Sequence, residues 1–286
     1  MDQKPDSFCD IENIAINILK DSRSYGIFPT PVDKILNYTE LKINTQNDLS
    51  SIEPSFISKA FNAFVLAKRK VLGLLDYFNK EIYIDSTQNY NKKRFIKLHE
   101  TGHKVIPWQQ EIMEYYVDDK RTLDPDTKEL FESEANYFAS STLFQLNIFD
   151  EESKKLPLSI ESPIFLAKKF GASNHASIRR YVEHSQNSCA LLVFEEINLD
   201  GKNKIRVRNY FQSKSFTKQF GELIWPENMD NKYPFMYYVY LKKKKPVDGE
   251  FSFLLKSEVS TKFQFQYYNN GFNTFVFIRP IGEFNK

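Results

Sequence analysis

The sequence predicts a mixed α+β protein, helical as far as about residue 185 and β-rich beyond it. Up to that point apolar residues recur at helical spacing, as in Ile11, Ile14, Ala15, Ile18 and Leu19. From Cys189 onward the pattern changes to short β-type runs divided by turn residues. The aromatic share of 15%, carried by 26 Phe and 16 Tyr, points the same way, because aromatic side chains suit a pleated, half-buried surface.

Composition bounds the reading further. At 286 residues the chain has ample material for one large or two ordinary cores, and 41% hydrophobic with 27% charged residues marks a globular chain. A formal net charge of +2 provides no global field for nucleic acid. The opening "MDQKPDSFCD" has no basic start leading into an apolar run, so no secretory signal is expected. No stretch approaches the roughly 18 apolar residues of a membrane helix. Cys9 and Cys189 suggest reduced, structural thiols rather than a disulfide framework, and a cytoplasmic location is expected.

In chain order, "CDIENIAINILKDSRSYGI" predicts a helix capped by Asp10 and stopped near Gly26. "PTPVDKILNYTELKIN" predicts a short proline-initiated helix running into an extended piece, and "VLGLLDY" and "EIYID" predict two strands around a turn. A helix follows over "YNKKRFIKLHETGHKVI", stopped by Pro107, whose ring nitrogen has no proton to continue the ladder. "DPDTKELFESEANYFASSTLFQ" predicts a second strong helix, with Asp124 as cap, Pro125 in the first turn, and Phe131, Ala135, Phe138, Ala139 and Leu143 as its apolar stripe. Residues 163–170 and 174–184 read as helix, turn, helix. The runs "CALLVFEEI", "KIRVRNYF", "FMYYVYLK", "GEFSFLLKS", "KFQFQYY" and "NTFVFIRP" read as strands, with Asn269-Asn270-Gly271 as a hairpin turn. A boundary is expected near 186–190.

The chemistry concentrates in "LHETGH". On a helix His99 and His103 share a face and can aim both imidazoles at one ion, while Glu100, rotated by about 100°, lies beside it as a proton acceptor. Imidazole donors suit Zn²⁺, which wants one more protein ligand. With only four histidines in the chain, an accidental H-E-x-x-H is rare. The next helix offers Glu132 as the third ligand and, one turn on, Asn136 to orient a ligand histidine through its other ring nitrogen. Glu134 competes for the ligand role but points about 200° away from Glu132; choosing Glu132 also gives Asn136 a purpose. Tyr115, Tyr116, Tyr137 and His175 are candidates for stabilising an oxyanion, with ordinary packing the blander role for each.

"LHETGH" followed 29 positions after His103 by "ESEANYFA" resembles the ImmA/IrrE family of zinc metallopeptidases. Similarity extends to "PVDKILNYTELKIN", "EIYIDS" and "FLAKKFGASNHASIRRYVE", covering roughly residues 10–185. The resemblance implies His99, His103 and Glu132 as ligands of one zinc ion per chain and Glu100 as catalytic base. It implies a zincin-like peptidase domain over 1–156, a helix-turn-helix-like segment over 157–187, and a β-rich sensor or docking domain over 188–286, in the place of the GAF-like domain of some members. "SSTLFQLNIF" departs from the family by lacking a Met-Pro-like pair after the second helix, which puts substrate-side contacts in question.

The resemblance further implies a regulatory endopeptidase whose protein substrate is a helix-turn-helix repressor, releasing mobile-element or stress-response genes. Two other classes compete. One is a DNA-binding regulator reading through Lys168, Lys169, Arg179 and Arg180 with a structural or sensory metal; the modest charge weighs against it. The other is a metal-bound binding module without peptidase action, which the presence of Glu100 does not favour.

Overall fold

The computed structural model describes residues 5–46, 48–49, 73–77, 79–112, 124–199, 202–226, 229 and 232–282. The two tyrosines Tyr115 and Tyr116, and the first residues of the "VLGLLDY" run, lie outside them. The chain packs as two compact units: Met1–Phe149 with Lys168–Ser173, and Asp150–Ala167 with Asn174–Lys286.

The first unit begins with helix α1 (Phe8–Asp21), which buries Ile11, Ala15, Ile18 and Leu19 as its periodicity predicts. Asp10 is not its cap: the cap is Ser7, and Asp10 lies in the first turn, where its charge still suits the positive end of the helix. Ser7 makes no capping bond, its backbone lying at ψ 9° instead of the extended region, and its hydroxyl donates to Glu134 at 2.5 Å. Helix α2 (Val32–Tyr38) leads into β1 (Lys42–Ile43). Strands β2 (Gly73–Asp76) and β3 (Glu81–Ile84) follow, giving a small sheet of order β1-β3-β2, parallel between β1 and β3 and antiparallel between β2 and β3.

Helix α3 (Tyr90–Val105) packs against this sheet. The Asn89 side chain caps it by accepting from the Lys92 amide, and it ends at Ile106, whose ψ of 111° breaks the ladder just before Pro107. Residues 107–112 then resume a helical path in a new direction. Helix α4 (Pro125–Leu143) starts as its sequence predicts, with the Asp124 carboxylate accepting from the amides of Asp126 and Thr127, and its whole apolar stripe is buried. At Gly102 the two helices approach so closely that a Cβ would stand 3.1 Å from Phe138 Cδ1 and 3.2 Å from the Ala135 Cα.

Helix α5 (Asn147–Lys154) follows in the chain, and then α6 (Glu161–Phe170) and α7 (Asn174–Glu183) form the expected helix–turn–helix, with Gly171 at φ +69° in the turn. In the second unit, β4 (Ala190–Leu199), β5 (Lys202–Gln212), β6 (Val247–Leu254), β7 (Ser260–Asn269) and β8 (Thr274–Pro280) form one antiparallel sheet of order β5-β4-β8-β7-β6. Strand β8 and the first half of β4, Ala190–Phe194, are buried on both faces, so they read as apolar runs rather than alternations. Helix α7 packs on β4 and β5, burying Ile178, Tyr181 and Val182.

Besides helix α5, which was not expected, two further elements differ from the sequence reading. Helix α8 (Lys214–Phe220) was not expected, although Ser213 caps it through the Phe216 amide and Gly221 ends it at φ +73°. The run "FMYYVYLK" is not a strand but helix α9 (Phe235–Tyr240), opened by Pro234. Its buried residues Phe235, Met236 and Val239 are three and four apart, and packing of that face against the sheet overrides the β-preference of its tyrosines. The Asn269–Gly271 turn joins β7 to β8 as predicted, with Gly271 at φ +88°.

Candidate metal centre

Helices α3 and α4 bring His99, His103 and Glu132 together at one point of the first unit. His99 Nε2 lies 3.2 Å from His103 Nε2 and 3.3 Å from Glu132 Oε2, and His103 Nε2 lies 3.4 Å from Glu132 Oε1. A tetrahedral ion with bonds of about 2.0–2.1 Å separates its ligand atoms by about 3.3 Å; the two nitrogens stand at such a spacing, and each has a different Glu132 oxygen at a similar distance. The far nitrogens are also in order. His99 Nδ1 is 3.1 Å from Asn136 Oδ1, and His103 Nδ1 is 2.8 Å from Gln109 Oε1. Each ring thus has an acceptor for a proton on Nδ1, which leaves its Nε2 lone pair for the common point. The donor set fits a divalent cation.

Glu100, the following residue, is buried beside this point and does not join it. Burial pushes its carboxyl above the usual range; the neighbouring His99 and His103 oppose that shift and Glu132 adds to it. Burial acts the same way on Glu132, but when both rings carry two protons, hydrogen bonds from His103 and His99 outweigh it and hold this carboxyl well below the ordinary value. Burial works to lower the His103 pKa, and its contacts with Glu132, together with Glu100 and Gln109, raise it overall. The cluster is therefore a place where negative charge gathers around two imidazoles, the environment a cation stabilises.

Gly73 on β2 sets how near the sheet comes. A Cβ there would lie 2.4 Å from Ile96 Cγ2 and 2.6 Å from Glu100 Oε1. Tyr77 adds a hydroxyl donated to the His103 carbonyl at 2.5 Å.

Glu134 takes no part in the cluster. It is buried on another face of α4, accepting from Ser7 at 2.5 Å, from the Trp108 indole at 2.8 Å and from Gln109 Nε2 at 2.7 Å. Tyr137 donates to Glu12 of α1 at 2.5 Å, and His175 belongs to the second unit, its ring near Phe275. Sequence reasoning missed Gln109, because its approach depends on the break at Ile106 and not on any periodicity. It also missed Gly73 and Gly102; a glycine in an apolar run and a glycine inside a helix were the available signals.

Residues 58–180 match the Peptidase M78 family, described as an IrrE N-terminal-like domain. That segment holds all three cluster residues. The fold as a whole is similar to that of a Mycobacterium tuberculosis transcriptional regulator, with a TM-score of 0.50, 10% identity, and coverage of 97% of this chain and 92% of that one. At such identity the likeness is one of fold. No curated protein sequence matches the chain. The IrrE-like family includes regulatory metallopeptidases and regulators. Among the described residues, no helix is long and apolar enough to cross a membrane.

Proposed function

We propose that this protein is a zinc-dependent regulatory endopeptidase of the cytoplasm, with a helix-turn-helix repressor as its protein substrate. One zinc ion would be held by His99, His103 and Glu132. The observation that carries the reading is the convergence of two Nε2 atoms and a carboxylate at about tetrahedral-edge spacing, with a buried fourth group, Glu100, at their side. Zinc in that place supplies Lewis acidity, easing the ionisation of water near neutral pH and polarising a carbonyl. Glu100 is the general base: it takes a proton from the attacking water and passes it to the leaving nitrogen. Its burial removes competing solvent, and the raised affinity for a proton suits a group that must hold one in transit. Asn136 keeps the His99 ring in the tautomer that faces the site.

The functional parts we assign are a peptidase over 1–156, a helix-turn-helix-like segment over 157–187, and a sensor or docking domain over 188–286 in the place of the GAF-like domain that the family resemblance implies. A DNA-binding role is the second reading, in keeping with the transcriptional regulator to which the fold is similar. Three contacts weigh against it: Arg179 pairs with Glu183 and lies over the Phe211 ring, and Arg180 faces Asp150 at 3.6 Å. Purified protein is expected to contain about one zinc per chain. Glu100→Gln should keep the metal and lose cleavage of a repressor encoded beside this chain, a cleavage that a chelator also abolishes. Equal cleavage by the substituted protein would overturn the mechanism. A salt-sensitive shift of promoter DNA that survives loss of His99 would favour the second reading.

A further inference from the structure

Gln109 stands six residues after His103. On an unbroken helix that spacing would turn it about 240° away from the ring. The break at Ile106 and Pro107 redirects the chain, and the Gln109 amide, fully buried, meets both His103 and the covered face of α4.

The two ends of an amide look alike in shape, so its orientation must come from its neighbours. Here they leave one solution. The Phe131 carbonyl, 3.2 Å from Gln109 Nε2, can only accept. Glu134 Oε2, 2.7 Å from the same nitrogen, already accepts from the Trp108 indole, a group that can only donate. The amide nitrogen therefore faces α4, and its oxygen faces His103 Nδ1 at 2.8 Å. An amide oxygen cannot donate, so the ring proton must sit on Nδ1.

We infer that Gln109 is a positioning residue, an amide whose orientation is set by Phe131, Glu134 and Trp108 and which holds His103 as the Nδ1–H tautomer with Nε2 bare toward His99 and Glu132. The geometry stands by itself; its purpose rests on the proposed metal site. Left alone in water an imidazole favours the opposite tautomer, with its proton on Nε2, where it would block a ligand bond. Asn136 does the same work for His99 from α4, so each ligand ring has its own amide from a different segment. Ser7, donating to the other oxygen of Glu134, extends this chain of bonds to the start of α1.

The test is the tautomer of His103 in metal-free protein at alkaline pH, read by long-range proton–nitrogen NMR, with zinc affinity measured alongside by competition with a chromophoric chelator. The wild type should show Nδ1–H at both rings. Gln109→Met, similar in volume and unable to accept the bond in kind, should move His103 toward Nε2–H while His99 stays unchanged, and should weaken zinc binding by about 10- to 100-fold. Asn136→Leu should do the reverse, moving His99 alone. Wild-type His103 with its proton on Nε2, or a Gln109→Met protein that keeps the Nδ1–H signature, overturns the inference; the wild-type spectrum decides even if the variant does not fold. Nδ1–H in a wild type that takes up no zinc would uphold the positioning role and overturn the metal reading instead.

Discussion

Gly73 leaves no room for a side chain, since a Cβ at that position would press on both Ile96 and the Glu100 carboxyl. Gly73→Ala is therefore expected to displace the base without touching a ligand. Zinc content should stay at the wild-type level while cleavage falls by about a hundredfold, the usual cost of misplacing a reacting group by about an ångström. Metal analysis beside a cleavage assay separates the two. A second prediction concerns His175, whose pKa is lowered to about 4, chiefly by burial, with Arg208 and Arg179 adding to it. The unfolded chain, with a histidine pKa near 6.5, binds this proton more readily than the folded one. The contribution of His175 to stability is thus complete above about pH 6.5 and is lost as pH falls toward 4, on the order of 3 kcal/mol in all. Urea midpoints at pH 7 and 4.5 should differ less in His175→Gln than in the wild type; an equal difference would assign the acid sensitivity to other groups.

Helix packing carries the residue geometry, and its tightest point is Gly102. Gly102→Val should push α3 and α4 apart, costing about 1–3 kcal/mol, and weaken metal binding because the histidines ride on one helix and Glu132 on the other. Thermal unfolding and chelator competition check the two halves of that claim. Arg94, on the helix that bears the histidines, is buried and donates to backbone carbonyls: Thr30 at 2.6 Å and Gly171 at 3.0 Å. Arg94→Met would strand those acceptors and is expected to cost about 2 kcal/mol or more in a denaturant titration. At this scale much was legible beforehand. The cap at Asp124 acts through local hydrogen bonds, and the stripe from Phe131 to Leu143 repeats at the helical period, so short-range rules suffice. "FMYYVYLK" was not legible, because six aromatic and aliphatic residues satisfy either period and only the sheet beneath them selects Phe235, Met236 and Val239 as the buried face.

In the whole molecule, the compact unit that holds the metal cluster also takes in Lys168–Ser173, whose turn provides the Gly171 carbonyl to Arg94. A chain ending at residue 156 would lack that turn and is expected to melt below the full-length protein, with its zinc affinity reduced; identical melting would show that the Arg94 bonds contribute little. Sequence alone determined that two histidines share a helical face with a glutamate beside them, and that a β-rich region follows a helical one, because both follow from the period of the backbone. Helix geometry favoured Glu132 over Glu134 as the third-ligand candidate without being able to show where either side chain goes. Only the tertiary structure decided that Glu134 is held by Ser7, Trp108 and Gln109 while Glu132 faces the histidines, and that Gln109 returns to His103 across a broken helix. Those outcomes depend on which surfaces of separate elements meet, and no local periodicity encodes the partner on the other side.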